Sequence, residues 1–259
     1  LRLSYATLGA FTKYPRKSIL NKKSNHIKDK KFGFFHSQNS FFDEVANELG
    51  MIDSNGSYMR HPLAFLVEAA DDICYTLIDF EDGINLGWIS EEYALEFLIR
   101  LVKDSIDTKK YNSLKHKTDR VAYLRALSIN TLINDTVKIF LKNEDKILNG
   151  EFTKTLLSES VFKAQMEDII DISVKKVYNS KEVIEKELKG YQVIHKLLSV
   201  FIKAAVNNQS DNTTALDDLV LASLPKTYIH KEGNLYNQLL DISCFVASLT
   251  DGNALEWYN

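Results

Sequence analysis

Glu68, Asp71, Tyr75, Asp79 and Asp82 recur at spacings of three and four, which sets four carboxyl groups and a phenol on one stripe of a helix. Carboxylates grouped in this way suit a divalent cation. Mg²⁺ and Mn²⁺ prefer oxygen ligands, and softer ions also accept imidazole. No Lys or Arg occurs between Arg60 and Arg100, so these acids lack a neutralising neighbour at i±4 on their own helix. Either a bound cation or the basic stretch at 13–31 must balance them. That stretch holds eight Lys or Arg residues (13, 16, 17, 22, 23, 28, 30 and 31) against Asp29 alone, and Pro15 interrupts any helix in it. Lys13 and Lys31 offer point charges to a polyphosphate there, and Tyr14 offers a hydroxyl or a ring for stacking. The plainer alternative for both features is solvation: an acidic helix face and a lysine-rich loop, each in water.

The element that must carry the acids is a helix from Pro62 to about Gly87, with proline in its first turn, where a missing N–H costs nothing. Leu63, Leu66, Ala70, Ile73, Leu77, Phe80 and Ile84 follow a 3,4,3,4 spacing and predict one continuous core stripe, with the acidic stripe opposite. Val67, Cys74 and Ile78 flank the acids on one side and Phe65 on the other, so the helix is apolar around most of its circumference. His61, just before the proline, reads as a capping or core residue more readily than as a metal ligand. Upstream, apolar residues at 1, 5, 8 and 11 read as the tail of a helix begun earlier, followed by the irregular basic loop and a short helix over 39–50. Downstream, helices are predicted over 90–104, 118–148, 158–178, 180–207, 213–223 and 233–249, with a polar loop at 105–117. Arg125 and His195 fall in helix interiors and read as structural or interface residues.

The composition agrees with this pattern. Gly and Pro make up only 13 of 259 residues, about 5 % against a usual ~12 %, which leaves few turns and strand breakers and predicts an all-α chain. At 45 % apolar and 26 % charged, with 14 Phe, 12 Tyr and 2 Trp to bury, it is too hydrophobic for disorder. No run approaches the ~18 apolar residues of a membrane span, and no signal-peptide pattern opens the sequence, so a cytoplasmic setting without a membrane partner is expected. A net charge of −3 argues against a dedicated nucleic-acid binder. Cys74 and Cys244 lie in helical patterns and read as buried thiols, not a disulfide. Leu1 sits inside a helix-like run, so the sequence reads as a piece of a longer chain.

One stretch is more specific than composition. Arg60 through Asp82, with Glu68-Ala-Ala-Asp71-Asp72-Ile-Cys-Tyr75 at its centre, resembles the last metal-ligand helix of the dGTP triphosphohydrolase (dGTPase) branch of the HD-domain phosphohydrolases. Tyr5 through Pro15 and Lys31-Phe-Gly-Phe-Phe35 are similar to that branch's triphosphate-contacting segments. Tyr123-Leu-Arg-Ala126, Gly190-Tyr-Gln-Val193 and Asp241 through Tyr258 are similar to its C-terminal helical region. The resemblance implies part of an HD-type helical bundle over 1–110 and a C-terminal helical region over 111–259. It makes Asp71 the metal-ligand Asp of a His…His-Asp…Asp set, with Mg²⁺ or Mn²⁺ as cofactor. Tyr75 and Asp79 match contacts to the sugar and phosphates of a nucleotide, and Lys13, Tyr14 and Lys31 match phosphate contacts. The implied reaction is hydrolysis of a dNTP, dGTP foremost, to deoxynucleoside and triphosphate by a homo-oligomer. A non-catalytic module that binds a dNTP or a partner subunit is the alternative. Two departures stand out. None of the six histidines (26, 36, 61, 116, 195 and 230) is followed by Asp, so the His-Asp dipeptide is absent and is expected upstream of Leu1. Gly252-Asn253 also stands where the branch has a polar or basic residue followed by an aromatic.

Overall fold

A computed structural model describes residues 2–18, 30–103, 105–228 and 234–258. The all-α expectation holds. The described residues form twelve α-helices, and their only β-type pairings are the isolated bridges Lys17–Phe34 and Ile52–Tyr58. The chain divides into two compact units, residues 1–180 and 181–259.

In the first unit α1 (Tyr5–Phe11) and α2 (Asn39–Glu48) precede the long α3 (Pro62–Asn85). Then follow α4 (Glu91–Val102), α5 (Thr108–Ser113), α6 (Lys117–Lys142), α7 (Glu144–Leu148) and α8 (Lys163–Ser173). A single π-turn, Val174–Tyr178, prolongs α8. Contrary to expectation, α1 is not the tail of an earlier helix: the Ser4 hydroxyl accepts from the Thr7 amide at 3.2 Å and caps a helix that starts at Tyr5. The polar 105–117 stretch contains α5, which Asp107 nucleates by accepting from the amides of Lys109 and Lys110 at 2.9 and 3.0 Å. The single helix expected over 118–148 breaks at Asn143, whose side-chain amide takes the Ile139 carbonyl at 2.8 Å in competition with the backbone.

The core of this unit packs Ile73, Leu77, Phe80 and Ile84 of α3 against Leu98 of α4, Leu124 and Leu132 of α6, and Ile169 of α8. This buried cluster includes residues on both sides of position 110. The second half of the α3 stripe is buried as the spacing predicts, whereas the first half is rotated. Leu63 is 46 % exposed and Ala70 lies in solvent, while Ala64, Phe65, Glu68 and Ala69 turn inward. The reason is a change of neighbours. The first half packs on α1 and on a separate cluster around Phe65, Ile147 and Leu156, at a different bearing from α4, α6 and α8. Cys74 is consequently exposed, not buried.

The second unit comprises α9 (Lys181–Gln209), α10 (Ala215–Ala222), α11 (Leu235–Ser248) and α12 (Asp251–Tyr258) around Phe201, Ala205, Ile242 and Phe245. Helix α12 lies beyond the last helix read from periodicity, which ended at 249. It begins on Thr250, whose carbonyl accepts from Ala254 at 2.8 Å, and it sets Trp257 against the rings of Phe201 and Phe245. Cys244, on α11, is exposed as well, and both thiols are free. No helix among the described residues is long and apolar enough to cross a membrane.

Candidate functional site

The site is built on α3, and its start is held by the residues before it. The His61 ring nitrogen Nδ1 accepts from the Leu63 amide at 3.2 Å, so this histidine caps the helix, and burial pushes its pKa below the ordinary value. Two helical turns on, Glu68 departs from the expected solvent-facing stripe and is buried at 3 % exposure. A buried carboxylate needs partners. Arg60 supplies one at 2.9 Å, its guanidinium lying 4.2 Å over the Phe65 ring, and Lys13 supplies the other at 3.4 Å.

Lys13 thus reaches the acids of α3, and it also lies 3.9 Å from Asp72. Burial pushes the Asp72 carboxyl up, Lys13 opposes that, Glu68 and Asp71 add to it, and Lys30 opposes it again. Of the two adjacent lysines it is Lys30 that acts on this group, while Lys31 is exposed and forms no ion pair among the described residues. Tyr14 is half-buried, with the Lys13 ammonium 5.8 Å from its ring. The two ends of the basic loop run side by side because Gly33 donates to the Arg16 carbonyl at 2.9 Å. Any side chain at 33 would meet the Tyr14 carbonyl, so only glycine permits this approach. Residues 19–29, and the lysines at 22, 23 and 28 with them, lie outside the described residues.

Further along α3, Asp71 and Tyr75 are exposed and Asp79 is half-buried. Tyr178, which no sequence pattern singled out, joins the last two. Its hydroxyl donates to Asp79 Oδ2 at 2.6 Å, and its ring stacks on Tyr75 at 5.9 Å between centroids and 25° between planes. Burial first, and then the bond to Asp79, push the Tyr178 hydroxyl far above the ordinary tyrosine pKa. A π-turn adds one residue to a helical turn, so 3.6-residue periodicity cannot reveal which side chain it redirects. Beside Tyr75 a cavity of about 360 Å³ opens between α3, α8 and the π-turn. On the opposite flank Glu81 pairs with Arg125 of α6 at 3.0 Å, which bears out the structural reading of that arginine.

The balance of charge along α3 is now clear. Arg60, Lys13, Lys30 and Arg125 come from other segments to meet Glu68, Asp72 and Glu81, and Tyr178 donates to Asp79. Asp71 is outside these pairings. Among the described residues no group of three His, Cys, Asp or Glu side chains is placed to hold a metal ion. The described residues do not by themselves fit the divalent ion that the resemblance implies, since Asp71 belongs to no group of three ligating side chains among them.

No family model matches the chain. A deoxyguanosinetriphosphate triphosphohydrolase-like protein of Synechocystis sp. is 31 % identical over 265 residues, covering 100 % of this chain and 59 % of that protein. A protein of the same name from Listeria monocytogenes is 31 % identical over 283 residues, with the same two coverages. The deoxyguanosinetriphosphate triphosphohydrolase of Serratia proteamaculans is 29 % identical over 221 residues, 78 % of this chain and 43 % of that enzyme. The chain therefore spans about three-fifths of the length of the first two relatives. Matched along its whole length, and in the way the Arg60–Asp82 segment leads one to expect, the chain belongs with the deoxyguanosinetriphosphate triphosphohydrolase-like proteins.

Proposed function

We propose that this chain holds the nucleotide in a dNTP triphosphohydrolase that converts dGTP to deoxyguanosine and inorganic triphosphate. The observation that carries the reading is the order of groups along α3. A lysine sits at Glu68 and Asp72, and a tyrosine–carboxylate–tyrosine set sits at Tyr75, Asp79 and Tyr178. Asp72 and Asp79 are seven residues apart, or about 10 Å at 1.5 Å per residue. That order matches the polarity of a nucleotide: anionic at one end, with a sugar and an aromatic ring at the other.

In this reading Lys13, with Lys30, Lys31 and Tyr14 alongside, takes the charge of the phosphates. Stabilisation of that kind is worth most as charge gathers on the departing triphosphate. Tyr75 lies against the sugar, and Asp79, with one oxygen already fixed by Tyr178, accepts from a sugar hydroxyl. Asp71 is the ligand this chain would give to Mg²⁺ or Mn²⁺. Its partners in that role are not among the described residues, so no step is assigned through the ion. A cytoplasmic homo-oligomer belongs to the same proposal, and its order is testable by light scattering after gel filtration.

The deciding experiment incubates the chain with dGTP and Mn²⁺, with and without chelator, and separates the products by anion exchange. Chelator-sensitive release of deoxyguanosine with intact triphosphate supports hydrolysis. Saturable dGTP binding without turnover selects the alternative of a non-catalytic nucleotide-binding or subunit-interaction module.

A further inference from the structure

We propose that Glu68 is a positioning residue: it fixes the ammonium group of Lys13 at the phosphate end of α3, and Arg60 neutralises Glu68 so that Lys13 keeps its charge for the ligand. The inference rests on the reading of α3 as a nucleotide-holding face and adds what sets the lysine in place there.

Three observations carry it. The first is burial. The side chains of Glu68 and Arg60 are 4 % and 3 % exposed, whereas that of Lys13 is 27 % exposed. A carboxylate withdrawn so far from water stands only where charged partners surround it. The second is that two cations divide its two oxygens. Arg60 Nη2 donates to Oε2 at 2.9 Å, and the Lys13 ammonium lies 3.4 Å from Oε1. The guanidinium is committed to this carboxylate: its Nε and Nη1 are buried without a hydrogen-bond partner among the described residues, and it lies over the Phe65 ring. Arg60, at the shorter contact, thus balances the charge of Glu68, and Lys13 finds an acceptor that no longer cancels its own. The third is where Lys13 sits. It follows Thr12, the residue that ends α1, and leads into the irregular basic segment. A lysine carries three donors on a flexible four-carbon stem, and outside a helix no turn of backbone restrains that stem. Its other near carboxylate, Asp72, is farther off at 3.9 Å and 43 % exposed. Held at Glu68 from the buried side, the ammonium keeps donors free for an anion, and less ordering is left to impose when the phosphates arrive. A buried ion pair seldom outdoes an apolar contact of the same size in stability, so the arrangement suits orientation better than it suits stability.

The test is a double-mutant cycle on the 259-residue chain, comparing the parent, Lys13→Met, Glu68→Gln and the two together. Isothermal titration calorimetry reads the binding of dGTP, deoxyguanosine and inorganic tripolyphosphate to each. Lys13→Met should weaken dGTP and tripolyphosphate about tenfold, the usual worth of one charged contact. Glu68→Gln keeps the shape of the side chain and removes its charge. It should weaken the same two ligands about three- to tenfold, leave deoxyguanosine unchanged, and add nothing further once Lys13 is methionine. A glutamate that only supports the fold would weaken all three ligands by the same factor with or without Lys13, and that result overturns the inference. Unchanged or tighter tripolyphosphate binding by Glu68→Gln overturns it as well, since Glu68 would then be idle or would be cancelling the lysine. If Glu68→Gln does not fold, side-chain NMR of the parent decides. The Lys13 ammonium, assigned by its disappearance in Lys13→Met, should give a resolved and slowly exchanging signal, and one averaged with the surface lysines overturns the proposal. In all these cases a parent that binds dGTP more tightly than Lys13→Met leaves the α3 reading standing. Equal dGTP binding by the two removes the phosphate role of Lys13 and this inference together, and a parent that binds none of the three ligands overturns the α3 reading itself.

Discussion

Tyr178 illustrates how much a single hydroxyl can decide. Its proton is shared with Asp79 in a half-buried setting, so its ionisation is resisted by burial first and by the neighbouring carboxylate second. Titrating the tyrosines by their absorbance should therefore show the same amplitude near pH 10 in Tyr178→Phe as in the parent, because Tyr178 does not ionise there. The sign for stability follows. A proton held more tightly in the folded state stabilises fully below the ordinary tyrosine pKa, and that contribution fades as pH rises above it. Tyr178→Phe should also weaken dGTP binding several-fold while leaving tripolyphosphate binding unchanged, since Asp79 loses the donor that orients it. At the phosphate end, Lys13→Met should move the Asp72 carboxyl further up, as seen by carboxyl-resolved NMR titration, because the largest cause opposing burial is gone. An unmoved Asp72 titration would show that Lys13 does not act on it. Asp71, Tyr75, Asp79 and Lys13 could be picked out as candidates in the sequence from the charge pattern on and before one helix and from the family resemblance. Tyr178 and the burial of Glu68 were not, since both depend on segments brought in from elsewhere.

At the scale of elements, the π-turn and α3 are held together by an absence. A methyl group on Gly83 would lie 2.6 Å from the Val177 side chain and 2.9 Å from Ile89, so glycine alone allows the two segments to approach. Gly83→Ala should therefore cost about 1–3 kcal/mol in urea unfolding, the range for overpacked cores. It should also displace Tyr178 from Asp79 and restore an ordinary tyrosine titration. The helix cap supplies a second prediction. His61 has a lowered pKa in the folded state, so the unfolded chain binds the extra proton first, and stability should fall as pH drops through about 6.5. Melting His61→Asn across the same pH range should flatten that slope, since Asn keeps a capping oxygen and loses the titration. The span of α3 could be read from Pro62, Gly87 and the apolar spacing. The rotation of its first half, the break at Asn143 and the caps at Ser4 and Asp107 arise from packing or from single side-chain bonds that periodicity does not encode.

For the molecule as a whole, the scarcity of glycine and proline was enough to announce helices throughout, yet it was silent on how they partition. The polar 105–117 stretch and the family resemblance both suggested a division near 110, and the two compact units have cores of their own, one around Phe80 and Leu124 and another around Phe201 and Phe245. Phe245→Ala should cost about 3–5 kcal/mol. Hydrogen exchange should report the loss within residues 193–258 and leave the protection of α3 and α6 unchanged, because the two hydrophobic clusters share no residue. One further property of α3 bears on how any of this is measured. Cys74 is free and exposed, immediately before Tyr75 in the chain. With Cys244 replaced by serine, a thiol-reactive fluorophore could be attached at that single position, giving an optical reporter of occupancy that does not depend on turnover.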